Sequence, residues 1–587
     1  MTNSIEKKDS ISFQAHQRTS IDHGEIINTH LSNRLIYQPT NVRNLDSLAM
    51  TANGAAATDD EKKGTSKLLH EAQANLEFST ETGYAPELRR NFSLISLLGI
   101  GFGITNSWFG ISGSLVAGIS SGGPMMIIYG IIIVASAATC IAITLSEMAS
   151  AFPTAAGQIY WTMQLAPPRY SRLLAYVTGV LSWTGAMFTS ASVLFTIATA
   201  VTGMYVLFHP DATVPRWAVF IVYEAFNVIM ALFNIYERPL PFISSGTLWI
   251  SLGSFVIIMI TVLAMHKGEF ATPEFVFVDF SNGTGWNSAG IAFIVGLINP
   301  NWSFSCLDAA THIAEESLDP AVQIPKAIIG TVIVGFVTAF TFCVAVFFCI
   351  TDLSTILNSA TGVPIMDIFY QSTASKAAAT GLEMLIVVTA IGCGIGCHTW
   401  QARICWSFSR DNGLPFSKYW SRINAKTGTT VNAHLVSCFG AGVIGCIYLG
   451  SSNAFNSILV SSVVLLLLSY VIPTLCLIPK RNTIKHGPFW LRKYHVGLTC
   501  NLVLVAWTVF ATVFYNFPSV MPVSGGNMNY SSAVLGIILI ICCADWLIRG
   551  RKEYVDIGDR EQLKDELVYQ LSNQVSNIEM MMSHNHI

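Results

Sequence analysis

Charge is what this sequence has least of. Only 11% of its 587 residues are Asp, Glu, Lys or Arg, against 52% hydrophobic residues. A water-soluble globular chain carries roughly 25% charged residues, so there is too little charge here to cover a water-facing surface, and an ordinary cytosolic enzyme is excluded. The formal net charge of −3 leaves no polycationic face for a nucleic acid to bind. The thirteen cysteines show no CxxC pairs or metal-ligand spacing, and most lie in apolar runs such as those around Cys343, Cys446 and Cys542-Cys543, where they read as small buried hydrophobes. No loop gathers a nucleophile, a base and metal ligands, so neither an enzyme nor a cofactor or metal site is expected. An early apolar run is missing too: residues 1–90 are polar, which predicts a disordered tail without a signal peptide.

Long apolar runs are what is present. Twelve segments approach the ~20 residues that cross a ~30 Å hydrocarbon core, at about 92–117, 123–147, 173–206, 217–236, 240–265, 289–313, 326–350, 380–408, 431–449, 455–478, 497–517 and 531–548. They are continuous rather than alternating, which predicts an all-α membrane protein and not a barrel. The expected organisation is an N-terminal tail (1–90), a twelve-helix domain (91–549) and a C-terminal tail (550–587). Basic residues gather in alternate connections, among them Arg169, Arg172, Arg410, Lys418, Arg422, Lys480, Arg481, Arg492, Arg549 and Arg551. The positive-inside bias then puts both tails in the cytosol. Two glycosylation sequons, beginning at Asn282 and Asn529, fall in connections this topology places outside.

A spanning helix must satisfy its own backbone, so breakers at mid-depth need a reason. In span one, Gly101-Phe102-Gly103 leads into Thr105-Asn106-Ser107-Trp108-Phe109-Gly110. In span six, Asn299-Pro300-Asn301-Trp302-Ser303-Phe304-Ser305 interrupts the apolar run. At ~1.5 Å per residue these lie ~18 Å and ~15 Å in from opposite faces, so both reach the midplane. Paired interrupted helices heading two five-helix sets point to a transporter built as an inverted repeat (about 92–265 and 289–478), with two extra helices at about 497–548. Carbonyls, amides and rings at the breaks suit a cation better than an anion, and a quaternary ammonium is held by aromatic faces at about 0.5–2 kcal/mol per ring. The expected substrate set is Trp108, Phe109, Trp302 and Phe304 as walls, Asn106 and Asn301 as polar anchors, Gly110 at the break, and Trp183, Phe188 and Tyr176 as further walls from span three.

Asp308, one turn beyond Phe304, either draws a cation into the inner half of the path or caps neighbouring helix groups. Glu224 reads as a structural hydrogen-bond partner. Glu147, Glu315 and Glu316 read as gate or loop contacts with basic residues near the inner surface. Arg403 is close enough to its helix end to snorkel, and His398 is a lone candidate for carrying a proton.

Three further stretches, Ala149–Tyr160 (ASAFPTAAGQIY), Asp308–Glu316 (DAATHIAEE) and Ser407–Pro415 (SFSRDNGLP), resemble the fungal amino acid/choline branch of the amino acid–polyamine–organocation superfamily. The resemblance covers roughly residues 90–550. It implies a five-plus-five inverted repeat with two extra helices, alternating access across the plasma membrane, and substrate contacts from spans one, three, six and eight. More narrowly, Gly101–Ile133 and Gly290–His312 around the two breaks, and Cys397–Pro415 from span eight, are similar to choline-carrying members. Amino-acid carriers of this superfamily hold a substrate carboxylate on a glycine-rich first-helix break; here Trp108 and Phe109 stand in it, although a modified nest around Gly101 and Gly103 stays open. Import of choline, ethanolamine or a related amine is thus expected. A GABA, polyamine or amino-acid permease, and an amine sensor that does not transport, are the alternatives. Lys7, Lys8, Lys62 and Lys63 in the first tail suit ubiquitin-directed turnover.

Overall fold

The computed structural model describes residues 90–584 apart from 237, 451–453, 492 and 556, together with isolated positions between 69 and 88. The expected disordered tail (1–90) therefore lies outside the described residues up to residue 68, as do its four lysines and Arg492; of its described positions, those from Leu69 to Thr82 are helical, and Tyr84 and Leu88 are buried, contrary to the expectation of disorder. Residues 81–565 form one compact unit; residues 1–80 with 566–587 form another. The C-terminal tail carries a helix, Ile557–His584.

Among the described residues eleven helices are long and apolar enough to cross a membrane. The one expected span missing from these is span six, because it is broken: it runs as Ala289–Gly296 and Ile298–Ser303, then leaves helical geometry until a 3₁₀ turn at Thr311–Glu316. With it the spans number twelve. Span one is Leu94–Thr105 plus Ser107–Gly113, span two Gly123–Ala151, span three Pro168–Phe208, span five Leu240–Ala264, span seven Pro320–Phe347, span eight Lys376–Arg410, span ten Ala454–Lys480 and span eleven Tyr494–Phe514. Span two packs along span seven and span three along span ten, while span one lies against spans five and seven. Glycines make the last contact close. A side chain at Gly99 would meet the Ser244 carbonyl of span five at 2.4 Å, and one at Gly101 the Thr331 hydroxyl of span seven at 2.6 Å. Gly101 and Gly103 are therefore helical packing positions, not an anion nest.

The two ends of the bundle differ in chemistry. At one, the 278–288 and 517–530 connections meet: the Met521 amide donates to the Thr284 carbonyl at 2.7 Å and Trp286 Nε1 to the Pro518 carbonyl at 3.0 Å. Both sequons lie at this end, but Asn529 is buried and its amide donates to the Tyr515 carbonyl, so as folded it offers no free nitrogen to a sugar. At the other end three carboxylates are buried against arginines. Glu147 pairs with Arg481 at 2.6 Å, Glu315 with Arg410 at 2.7 Å and Glu316 with Arg403 at 2.7 Å. Arg403 does not snorkel, being 2% exposed and fork-bound to Glu316, with Thr430 taking its remaining amine. A helix the sequence did not announce, Gln158–Leu165, also lies here.

Candidate functional site

The break in span one is a single residue. Asn106 adopts the left-handed conformation (φ 33°, ψ 66°), ending one helix and starting the next. Asparagine tolerates this region better than most side chains. Its backbone stays bonded on both sides, Asn106 N–H to the Phe102 carbonyl and the Gly110 N–H to the Asn106 carbonyl. The expectation that Trp108, Phe109 and Gly110 stand within the break is corrected: all three are helical, and the helix is jointed at Asn106, not unravelled. In span six the correction runs the other way. Asn299 and Pro300 sit inside a helical turn, and the irregular segment begins after Ser303, through Phe304 to Ala310, with Cys306 at φ 63°.

Direct contacts join the two breaks. Thr105 Oγ1 donates to the Ser305 carbonyl at 3.0 Å, and Asn299 Nδ2 donates to the Ile111 carbonyl at 3.1 Å and to Ser114 Oγ at 2.7 Å. Gly110 is where the helices touch, since a Cβ there would lie 2.8 Å from Ser303 Cα. It is helical, not part of the break itself. A Gly110→Ala substitution meets backbone that cannot swing aside, so we expect a loss of about 1–3 kcal/mol from overpacking, seen as a lowered melting temperature of the purified protein together with a reduced maximal transport rate.

The rings separate into two groups. Phe109 faces Trp302 with centroids 6.3 Å apart, and Trp302 Nε1 donates to Ser192 Oγ of span three at 3.1 Å. Phe188 stands one turn before Ser192 on the same helix face and is buried. Trp108 is elsewhere: fully buried, it packs against Phe342 of span seven at 5.4 Å and Phe255 of span five at 6.3 Å. Trp108 Nε1 donates to Ser251 Oγ, which donates to Asn106 Oδ1, both at 3.0 Å. The structure thus does not bring Trp108 to Trp302; it holds the hinge asparagine instead. That relay leaves Asn106 Nδ2 buried with no partner among the described residues, as is the neighbouring Ser107 hydroxyl. Nor does the structure bring Trp183 or Tyr176 to the breaks. Trp183 donates to Ser437, and Tyr176 binds Asp545 near the start of the C-terminal tail.

Asn301 accepts from Trp507 Nε1 of span eleven at 2.7 Å. With Phe304, Ser305, Tyr470 and Trp507 it lines a cavity of about 20 Å³, room for roughly one water molecule. Phe109, Trp302 and Phe304 are all buried, so this conformation is closed around its rings. Asp308 is fully buried and does not face them as a bare counter-charge. It accepts from Gln158 Nε2 at 2.8 Å and Tyr470 OH at 2.5 Å, and His312 Nε2 stands 3.1 Å from Oδ2. Glu224 accepts from Asn227 of its own helix, and His398 is buried beside Cys438 and His434. The partners of the candidate residues that the sequence reading missed are Ser192, Ser251, Trp507 and Tyr470, lone polar or aromatic residues in apolar helices that no spacing marks, and Gln158, which lies in the Ala149–Tyr160 stretch but was given no role there. His312 was legible in principle, four residues after Asp308.

Residues 92–541 match the family described as Amino acid permease. The chain is 52% identical over 479 residues to a choline transporter of Saccharomyces cerevisiae, covering 82% of this chain and 85% of that one. It is 35% identical over 512 residues to a 7-keto 8-aminopelargonic acid transporter of the same yeast (77% and 91% of the two chains). It is also 35% identical over 470 residues to a swainsonine transporter of Arthroderma benhamiae (80% and 92%).

Proposed function

This chain belongs to the amino acid permease family, and from that premise we propose that it imports choline, or a closely related amine, across the plasma membrane by alternating access. It is a multi-pass membrane carrier and not an enzyme. The observation that carries the choline reading is its likeness to the yeast choline transporter, which is well above its likeness to the relatives named for other cargo. The site is in keeping with it. Phe109, Trp302 and Phe304 supply ring faces for a trimethylammonium group, which has no N–H to donate. The unpartnered Asn106 Nδ2 and Ser107 hydroxyl offer hydrogen bonds to a hydroxyl end. Trp108 acts through Ser251 as a positioning residue for Asn106.

The repeats are spans one to five and six to ten, and the arginine-rich end faces the cytosol, in accord with the positive-inside bias. The closed state would then be sealed on its cytosolic side by the three buried ion pairs, two of which tie the segment after the span-six break to span eight.

Competition decides the cargo. In a fungus lacking its own choline uptake, this chain should confer saturable uptake of labelled choline. Unlabelled choline should compete best, ethanolamine less well, and GABA, polyamines and 7-keto 8-aminopelargonic acid hardly at all. Uptake displaced by GABA or a polyamine as readily as by choline would overturn the assignment, and binding without accumulation in sealed vesicles would make the protein a sensor.

A further inference from the structure

We propose that Asp308 and His312 together hold one exchangeable proton, bound in the closed state and released when the segment after the span-six break moves. The proposal rests on the carrier reading but not on choline being the cargo.

The argument is a count of hydrogens. His312 Nδ1 lies 2.7 Å from the Ala155 carbonyl oxygen, which can only accept, so Nδ1 carries a hydrogen. Nε2 of the same ring lies 3.1 Å from Asp308 Oδ2. With Nδ1 already protonated, a neutral ring would turn a lone pair at Nε2 toward a carboxylate oxygen. The contact therefore contains a second hydrogen, whether written as imidazolium with carboxylate or as imidazole with carboxylic acid; the two forms hold the same number of hydrogens. Asp308 has no other cation among the described residues. Its remaining contacts are the Gln158 amide and the Tyr470 hydroxyl. Of the titratable groups nearby, Tyr470 from span ten donates to the carboxylate, and Cys306 lies on the same irregular segment. Glu315, which accepts from the Ala155 amide, is matched by Arg410.

Asp308 and His312 are both 0% exposed. Removal of the shared proton leaves a neutral ring, still donating through Nδ1 to Ala155, opposite an unpaired buried carboxylate. Such a charge is costly away from water, so the proton leaves to water only when the pair is uncovered. The pair lies on the segment that begins at Phe304 and ends in the turn held by the Glu315 and Glu316 ion pairs. Opening that turn would expose it. Proton release is thereby tied to the motion that opens the cytosolic side, and the proton travels inward with the substrate.

The test uses the full chain in proteoliposomes with the membrane potential clamped at zero. Labelled choline exchange at equal pH needs no net proton flow and reports whether choline is a substrate at all. An acid-outside gradient of one pH unit should then raise steady-state accumulation by about tenfold for one proton per substrate. His312→Gln should keep exchange and lose the gradient response; a variant that still accumulates about tenfold overturns the proposal. Absence of exchange in the unmodified protein would sink the choline reading alone. The proton site is then judged by ¹⁵N spectra of histidine-labelled protein, with the His312 signal identified by its loss in His312→Gln. Both ring nitrogens should bear or share hydrogen at neutral pH, and Asp308→Asn should change that signal. A ring with one bare nitrogen at acid and alkaline pH alike would rule out the shared proton.

Discussion

Replacement of Trp302 by alanine is expected to remove measurable uptake of labelled choline at concentrations near the unmodified carrier's half-saturation point, while the protein still reaches the cell surface. The ring meets Phe109 on one side and donates to Ser192 on another, so it ties span six to spans one and three. The lost ring–cation attraction at this buried ring is worth about 2 kcal/mol or more, roughly a thirtyfold or greater loss of affinity. Truncation also leaves a void beside Phe109. Trp302→Phe should recover part of the uptake by restoring a ring face without the N–H. Uptake by Trp302→Ala indistinguishable from that of the parent, at equal surface level, would take Trp302 out of the site.

The second large effect concerns Arg403. Leucine at this position strands Glu316, which is 1% exposed, without its only salt-bridge partner among the described residues. Breaking a buried pair in this way costs about 3–5 kcal/mol, whereas replacing both members with apolar residues is often close to neutral. Arg403→Leu should therefore lower the melting temperature sharply in detergent, and Arg403→Leu with Glu316→Leu should restore most of it. If the pair also seals the cytosolic side, the double variant should be stable yet transport poorly. A double variant as unstable as the single one would show that packing, not the stranded charge, sets the loss.

The twelve spans were readable because a membrane helix states its length and apolarity along the chain, and each expected segment has its counterpart. The existence of both breaks was readable from clustered Gly, Asn and Pro. Their extent was not. Pro300 looks like a breaker but is accommodated in a short helix, while the true irregular stretch, Phe304–Ala310, contains no proline or glycine at all. Which way each ring faces was hidden as well. Trp108 and Phe109 are neighbours in sequence and so point about 100° apart on a helix, one toward span seven and the other toward Trp302. The partners of Glu147, Glu315 and Glu316 were expected by type but not by name, because Arg481, Arg410 and Arg403 are brought to them by tertiary packing.

Because span one bends at Asn106 alone, its first helix, Leu94–Thr105, would move as a stiff lever with one pivot. The arm is 12 residues long, ~18 Å at the helical rise, so a swing of ~20° about that joint would carry its far tip, next to the Phe92 amide that donates to the Glu316 carbonyl, ~6 Å. A displacement of that size is comparable to the girth of a small quaternary amine. A change in two backbone torsions at Asn106 would then be enough to unlatch a passage for it, with the half of the rod that carries Phe109 left standing as the fixed jamb.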